Sequence, residues 1–348
     1  MPLSRRLRVM QAYQRLRPTT NPYIVQLDRA LGSTAGMEHL RFTWRRALLG
    51  RYDVLHLHWP ETRLGGSNRV KAIGNQVRFA LLLARLRLSR IAVVRTVHNV
   101  ELPQDITRVQ RALLVGLERA TTLRIVINET TTLPADQPVE TILHGHYRDW
   151  FAEFPASEAT PGRFGYAGLI RRYKGVEHLV TTFRELAERG RGVSLTVGGR
   201  PSTTELAETI TGLAADDDRI RLELHFLSDA ELVTIMTSAE LVVLPYRFMH
   251  NSGGTLAALS LDRPVLIPAN ETNAALAAEV GPGWIHTYEG ELTADDLDRT
   301  LTLVQAGDRS AQPDLSARDW ADAGTRHLAA FGRAAALRRA TGRNRRGR

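Results

Sequence analysis

The chain has no cysteine. Disulfides, cysteine-ligated zinc and a cysteine nucleophile are therefore excluded. Lysine is almost missing as well: Lys71 and Lys174 stand against 44 arginines. Aromatic residues make up 6% of the chain, few for a protein that stacks on bases. No apolar run approaches the ~20 residues that span a bilayer. The opening stretch MPLSRRLRVMQAYQRLRP is basic and has no apolar core of a signal peptide. The expectation is a cytoplasmic protein, with peripheral attachment to the inner face of the cell membrane as a finer alternative. Walker A, HExxH and GxSxG patterns are missing, and there is no clear GxGxxG. That points away from a P-loop NTPase, a zincin, an α/β-hydrolase and a usual NAD enzyme.

What is present is a globular balance. Apolar residues make 43% and charged residues 24% of 348 positions, enough for two domains of ~150 residues each. The net charge of +9 favours polyanions: nucleic acid, an anionic lipid surface or phosphorylated small molecules.

Short apolar runs alternate with amphipathic segments. The pattern predicts strands over 53–59, 91–99 and 123–128, with helices over 68–90 and 104–119 between them. FPASEATPG (154–162) reads as a linker. Beyond it, strands are expected at 163–170, 192–199, 220–226, 239–246 and 264–268. Helices are expected at 175–189, 203–214, 228–238 and 255–261, and again over 316–340. The fold class is α/β: two Rossmann-like halves, 1–155 and 156–315, then a terminal helix and a basic tail, 341–348. Seven arginines and no acid occupy 333–348, which suits either a solvated tail or a contact with lipid or RNA.

Ligands of parallel sheets sit beyond the carboxyl ends of strands, so the turns there carry the candidates. GLIRRYKG places Arg171, Arg172 and Lys174 after Gly168, at the start of a helix, where free N–H groups favour phosphate. Lysine is a compact point charge and arginine a planar fork, so a lone lysine suits a tight phosphate pocket. A solvated basic turn is the alternative. NSGGT supplies Ser252, Gly253, Gly254 and Thr255 at another helix start, suited to phosphate or simply to capping. Gly199 in VGGR lines a nucleotide pocket or an ordinary loop; Arg200 and Tyr246 are candidates for the base. In the first half, His98 and Asn99 end a strand, and histidine suits proton transfer. Glu101 and Glu61 are alternative bases. His56 and His58 share one strand face, where packing is the commoner role than metal binding. His144 and Gly145 form another turn. No metal site is expected.

Together, HLHWPE, TVHN, HGHYRDWF, GLIRRYKGVEHLV, LPYR and SGGTLAALSLDRPV resemble a GT-B glycosyltransferase. The similarity is to the family 4 type and to bacterial exopolysaccharide mannosyltransferases. It covers roughly residues 50–270. The resemblance implies two Rossmann-like domains facing across a cleft, with a C-terminal helix crossing back to the N-domain. It implies a nucleotide-diphospho-sugar donor, GDP-mannose favoured, neutralised by Arg171 and Lys174 without an essential metal or cofactor. It implies a glycan or lipid-linked acceptor, with His98 and then Glu101 as base if the enzyme inverts. Many family 4 enzymes carry two glutamates around the SGGT turn; here Met249 and Ala257 take their places. The usual glycine-rich loop near the start is replaced by Asn21, Pro22 and Tyr23. The arginines among Leu, Phe and Trp at 40–51 and 68–90 suit an anionic membrane surface, unless the apolar face packs on the sheet. The rivals are a non-catalytic scaffold of the same fold and a nucleic-acid-binding protein, the latter opposed by the absence of any RRM, KH or zinc-finger pattern.

Overall fold

A computed structural model describes residues 5–344 apart from 14, 15, 18, 100–105, 248, 250 and 252. Glu101 and Ser252, two of the candidates, lie outside the described residues. The chain forms two compact units, 1–145 joined by 319–348, and 146–318.

The first unit contains β1 (Leu7–Gln11), α1 (Pro22–Ser33), β2 (Met37–Arg41), α2 (Trp44–Leu49), β3 (Val54–Leu57), α3 (Arg69–Leu88), β4 (Ala92–Val97), α4 (Arg108–Ala120), β5 (Leu123–Val126) and β6 (Val139–Thr141). All strands pair in parallel, in the order β2-β1-β3-β4-β5-β6. The order reverses between β1 and β3, and the crevice of such a sheet opens there. Fully buried runs such as VLHL in β3 explain why the central strands are visible as apolar stretches. One face is closed by Phe79, Leu82, Leu83 and Leu86 of α3 and by Leu114 and Leu117 of α4, over Met10, Leu55, Leu57 and Val93.

The second unit contains α5 (Arg148–Phe151), β7 (Arg163–Ala167), α6 (Val176–Glu188), β8 (Ser194–Gly198), α7 (Thr204–Ala214), β9 (Ile220–Glu223), α8 (Asp229–Ser238), β10 (Leu241–Val243), α9 (Gly253–Ser260), β11 (Val265–Pro268), α10 (Glu271–Val280), β12 (Ile285–Tyr288) and α11 (Ala294–Ala306). Its parallel order is β12-β11-β10-β7-β8-β9. The reversal falls between β7 and β10, so the turns after these two strands flank the switch point. Capping boxes start α8 (Ser228 with Glu231) and α11 (Thr293 with Asp296).

Three expectations are adjusted. The 154–162 stretch is built into the second unit: Ser157 N–H donates to Thr237 Oγ1 (2.8 Å), Thr160 N–H to Ser238 O (2.9 Å) and Gly162 N–H to a Glu240 carboxylate oxygen (2.6 Å). The changeover lies at Gly145/His146. The 316–340 helix is broken. Ser316–Arg318 is a 3-10 turn, with Arg318 paired to Glu279 in the second unit, and α12 (Ala323–Asn344) packs on α1, β3, β4 and β5 of the first. Before residue 53 the pattern marks nothing, yet two strands and two helices lie there. β2 is an edge strand, half solvated, and so lacks the apolar run that reveals an inner one.

Candidate active site

In the second unit, the turn after β7 and the loop after β10 are tied together. Arg247 N–H donates to Tyr173 O (2.9 Å). Gly175 adopts φ 62°, and a Cβ there would lie 2.3 Å from Pro245 O, so the contact requires glycine. α6 starts at Gly175, and among the described residues no side chain caps it, so its first amides receive no such bond from them. Lys174 is half-buried with its ammonium 4.8 Å from the Tyr246 ring centroid. Burial, seconded by the Arg171 charge, lowers its pKa. It joins no ion pair among the described residues. An ammonium desolvated this far gains from any anion that joins it. Gly168 faces it: a Cβ there would stand 3.9 Å from Nζ.

The other candidates divide. Arg171 is exposed beside Lys174. Arg172 is exposed and pairs with Glu205 at 2.9 Å on the surface. Gly199 has φ 147°, and a Cβ there would sit 1.7 Å from Gly168 O, so close packing of the two loops demands glycine whatever binds nearby. Gly253 and Gly254 open α9, but Thr255 is buried, with its hydroxyl 3.9 Å from Met249 Sδ. Met249 also receives Asn273 Nδ2 on its sulfur at 3.4 Å, and Ala257 is buried. A thioether and a methyl thus stand at the two positions where the resemblance would place carboxylates.

In the first unit, histidines gather at the carboxyl ends of β3 and β4, beside the switch point. His58 Nδ1 and His98 Nε2 share a hydrogen bond at 3.1 Å. Trp59 stacks on the His98 ring at 4.1 Å and 20°. Tyr23, from the start of α1, sets its ring against His58, His98 and His144 and against Trp320. Asn21 caps that helix by accepting from Tyr23 N–H, and so fixes the ring's position. His98 is buried, and its pKa lies well below the ordinary histidine value. Burial is the main cause, followed by the proximity of His58, His144 and the Arg95 guanidinium, each of which opposes a positive charge on the ring. The ring is therefore neutral at neutral pH. Glu61, half-buried in the Pro60–Arg63 turn, has its carboxyl pKa raised by burial. Asn99 is exposed.

His56 and His58 part company. His56 Nδ1–H donates to Gln11 Oε1 and its Nε2 accepts from Thr96 Oγ1, both at 2.8 Å, under Phe331. This is a satisfied core histidine. His58 instead joins His98, and its Nε2 is buried with no hydrogen-bond partner among the described residues. Two members of the cluster were invisible to motif reasoning: Trp320, and His327, whose Nδ1–H donates to Ala323 O at 2.7 Å. Both reach the sheet from the far end of the chain, and nothing local marks them. Among the described residues no group of three or more His, Asp or Glu is placed to hold a metal ion.

No family model matches the chain. It is 43% identical over 327 residues to the GDP-mannose:glycolipid 4-beta-D-mannosyltransferase of Xanthomonas campestris pv. campestris, covering 94% of this chain and 92% of that one. A shorter similarity, 29% over 148 residues, links it to the alpha-D-kanosaminyltransferase of Streptomyces kanamyceticus, with 42% and 38% covered. Among solved structures, Anabaena HepE in complex with UDP superposes with a TM-score of 0.57 at 12% identity, over 98% and 100% of the chains. The avilamycin glycosyltransferase AviGT4 gives 0.54 at 15%, over 95% and 98%. These two likenesses establish the fold. Two doubly wound parallel sheets, cation-bearing and glycine-bearing turns at one switch point, and close identity along nearly the whole chain lead to one conclusion: the chain is a GT-B hexosyltransferase and belongs to the family of the Xanthomonas glycolipid mannosyltransferases.

Proposed function

We propose that the protein transfers mannose from GDP-mannose to a hydroxyl of a glycolipid. The observation that carries this is the 43% identity over 94% of the chain to an enzyme named for that reaction. The second unit would take the donor. Its diphosphate would meet Lys174 and Arg171 and the uncapped amides of α6, which disperse leaving-group charge as the sugar–phosphate bond breaks. On this reading no cofactor takes part, and the missing glutamates leave the donor sugar to be held by other groups.

The first unit would take the acceptor. A β-linkage made from an α-linked sugar nucleotide requires inversion, and inversion needs a base for the acceptor proton. His98 is the base favoured here. It is neutral, hydrogen-bonded to His58, and held in orientation by Trp59 and Tyr23. Glu61 is the alternative, since burial raises its carboxyl pKa. A glycolipid acceptor brings the enzyme to a membrane surface, and among the described residues no helix is long and apolar enough to cross one.

The test is a thermal-shift titration with GDP, UDP, ADP and their mannose and glucose conjugates, followed by transfer of labelled mannose to a lipid-linked oligosaccharide. Ligands that bind the native state raise its stability by mass action. A shift selective for GDP and GDP-mannose, with label appearing in lipid, supports the proposal. A shift selective for UDP conjugates replaces the donor, and no shift at millimolar concentration removes the donor assignment.

A further inference from the structure

α3 has two apolar faces. Phe79, Leu82, Leu83 and Leu86 are buried against the sheet. Val70, Ile73, Val77, Leu81 and Leu88 recur at steps that return to one side of a 3.6-residue helix, opposite the buried side. All five are more than half exposed, Leu88 at 90% and Val70 at 79%. Ala84, also exposed, continues the line. The stripe is about 27 Å long at the helical rise. Leu49 of α2, likewise 79% exposed, belongs to the neighbouring helix, which Arg85 pins to α3 through the carbonyls of Ala47 and Gly50. Exposed apolar area of this extent is uncommon on a free surface.

The charges around the stripe are of one sign. On the helical wheel Arg69 and Arg87 fall along one flank, Lys71 and Arg78 along the other. All four are exposed, and none is in an ion pair among the described residues. From Thr62 to Val100 the sequence contains no aspartate or glutamate.

We propose that this face of α3, with Leu49, lies in the headgroup layer of an anionic phospholipid bilayer. The basic flanks meet lipid phosphates, and the apolar stripe enters the boundary with the acyl chains. The charge pattern selects this occupant. A second copy on the same face would set arginine flanks against arginine flanks, which opposes association. The proposal deepens the glycolipid reading by naming the surface that meets the membrane, but its test needs neither donor nor acceptor.

The experiment is cosedimentation of the full chain with phosphatidylcholine vesicles, pure or containing about a third phosphatidylglycerol. Val77→Asp/Leu81→Asp is compared with wild type, and Arg69→Glu/Arg78→Glu serves as a second variant. Thermal unfolding checks that both fold, as expected for exposed positions. Wild type binds the anionic vesicles, and the aspartate pair lowers the bound fraction about tenfold. The glutamate pair lowers binding to anionic vesicles by a similar or larger factor, at about fivefold per cation removed. Equal binding of wild type and variants, or no binding by wild type, overturns the proposal. So does a lipid-free dimer that the aspartate pair dissociates, because the stripe is then a self-interface. Vesicle binding with no transfer from GDP-mannose would leave this surface standing and remove the function proposed above.

Discussion

The carboxyl edges of the two sheets are built from different chemistry. In the second unit, the edge carries Arg171 and Lys174, glycines, and a helix start that no described side chain caps. In the first, it carries the neutral imidazoles of His58 and His98, with His144 and the rings of Tyr23, Trp59 and Trp320 beside them. The same doubly wound scaffold thus presents positive charge at one switch point and, at the other, two neutral imidazoles among aromatic rings. The first combination suits a diphosphate, the second a sugar hydroxyl.

That contrast can be broken one half at a time. The largest effect is expected from His98→Ala: kcat for mannosyl transfer falls by about 10²–10⁴, while the thermal shift with GDP is unchanged. Loss of the GDP shift in this variant would erase the division of labour. Lys174→Ala should do the reverse, abolishing the GDP shift and lowering kcat/KM by about 10²–10³. Next comes acid stability. Burial lowers the His327 pKa to about 4 from an ordinary 6.5. Between those values the unfolded chain holds a proton that the folded one does not, so stability rises with pH. It is full above 6.5 and lost on acidification towards 4, by about 3 kcal/mol for this group. In a pH series of thermal unfolding, His327→Leu should flatten the slope, and an unchanged slope would show that other groups set it. The smallest effect belongs to Arg172→Ala, where an exposed pair with Glu205 is lost: about 0.5 kcal/mol or less of stability and under about twofold in transfer.

His98 also sharpens the comparison through the pH–rate profile. A base with a lowered pKa stays unprotonated as pH falls through 6.5, so kcat should hold there and drop only below. A limb centred at or above 6.5 would favour another base.

The inner strands and most helices were legible because buried parallel strands are apolar runs, as in VLHL and AVVRTV. The two cation-bearing and glycine-bearing turns were legible for a similar reason: they follow strands directly. The first four elements were not, since edge strands such as MEHLR carry polar residues on a solvated side. α3 shows a subtler limit. Core packing and surface contact stood as alternatives for its apolar residues, and the helix has a separate face for each. With two opposed faces, amphipathicity largely cancels, and periodicity alone does not reveal the second. Trp320 and His327 lie beyond any local rule, because Trp320 meets Tyr23 and His327 meets His56 from the opposite end of the sequence.

α12 completes a unit that the first strand begins. It packs on α1, β3, β4 and β5, and Phe331 closes over His56. On the ribosome, residues 146–318 emerge entire and can finish folding while the earlier-made half still waits for its last helix. The amino-terminal half is then the later to mature, with His56 lying under an unfinished face until α12 has emerged.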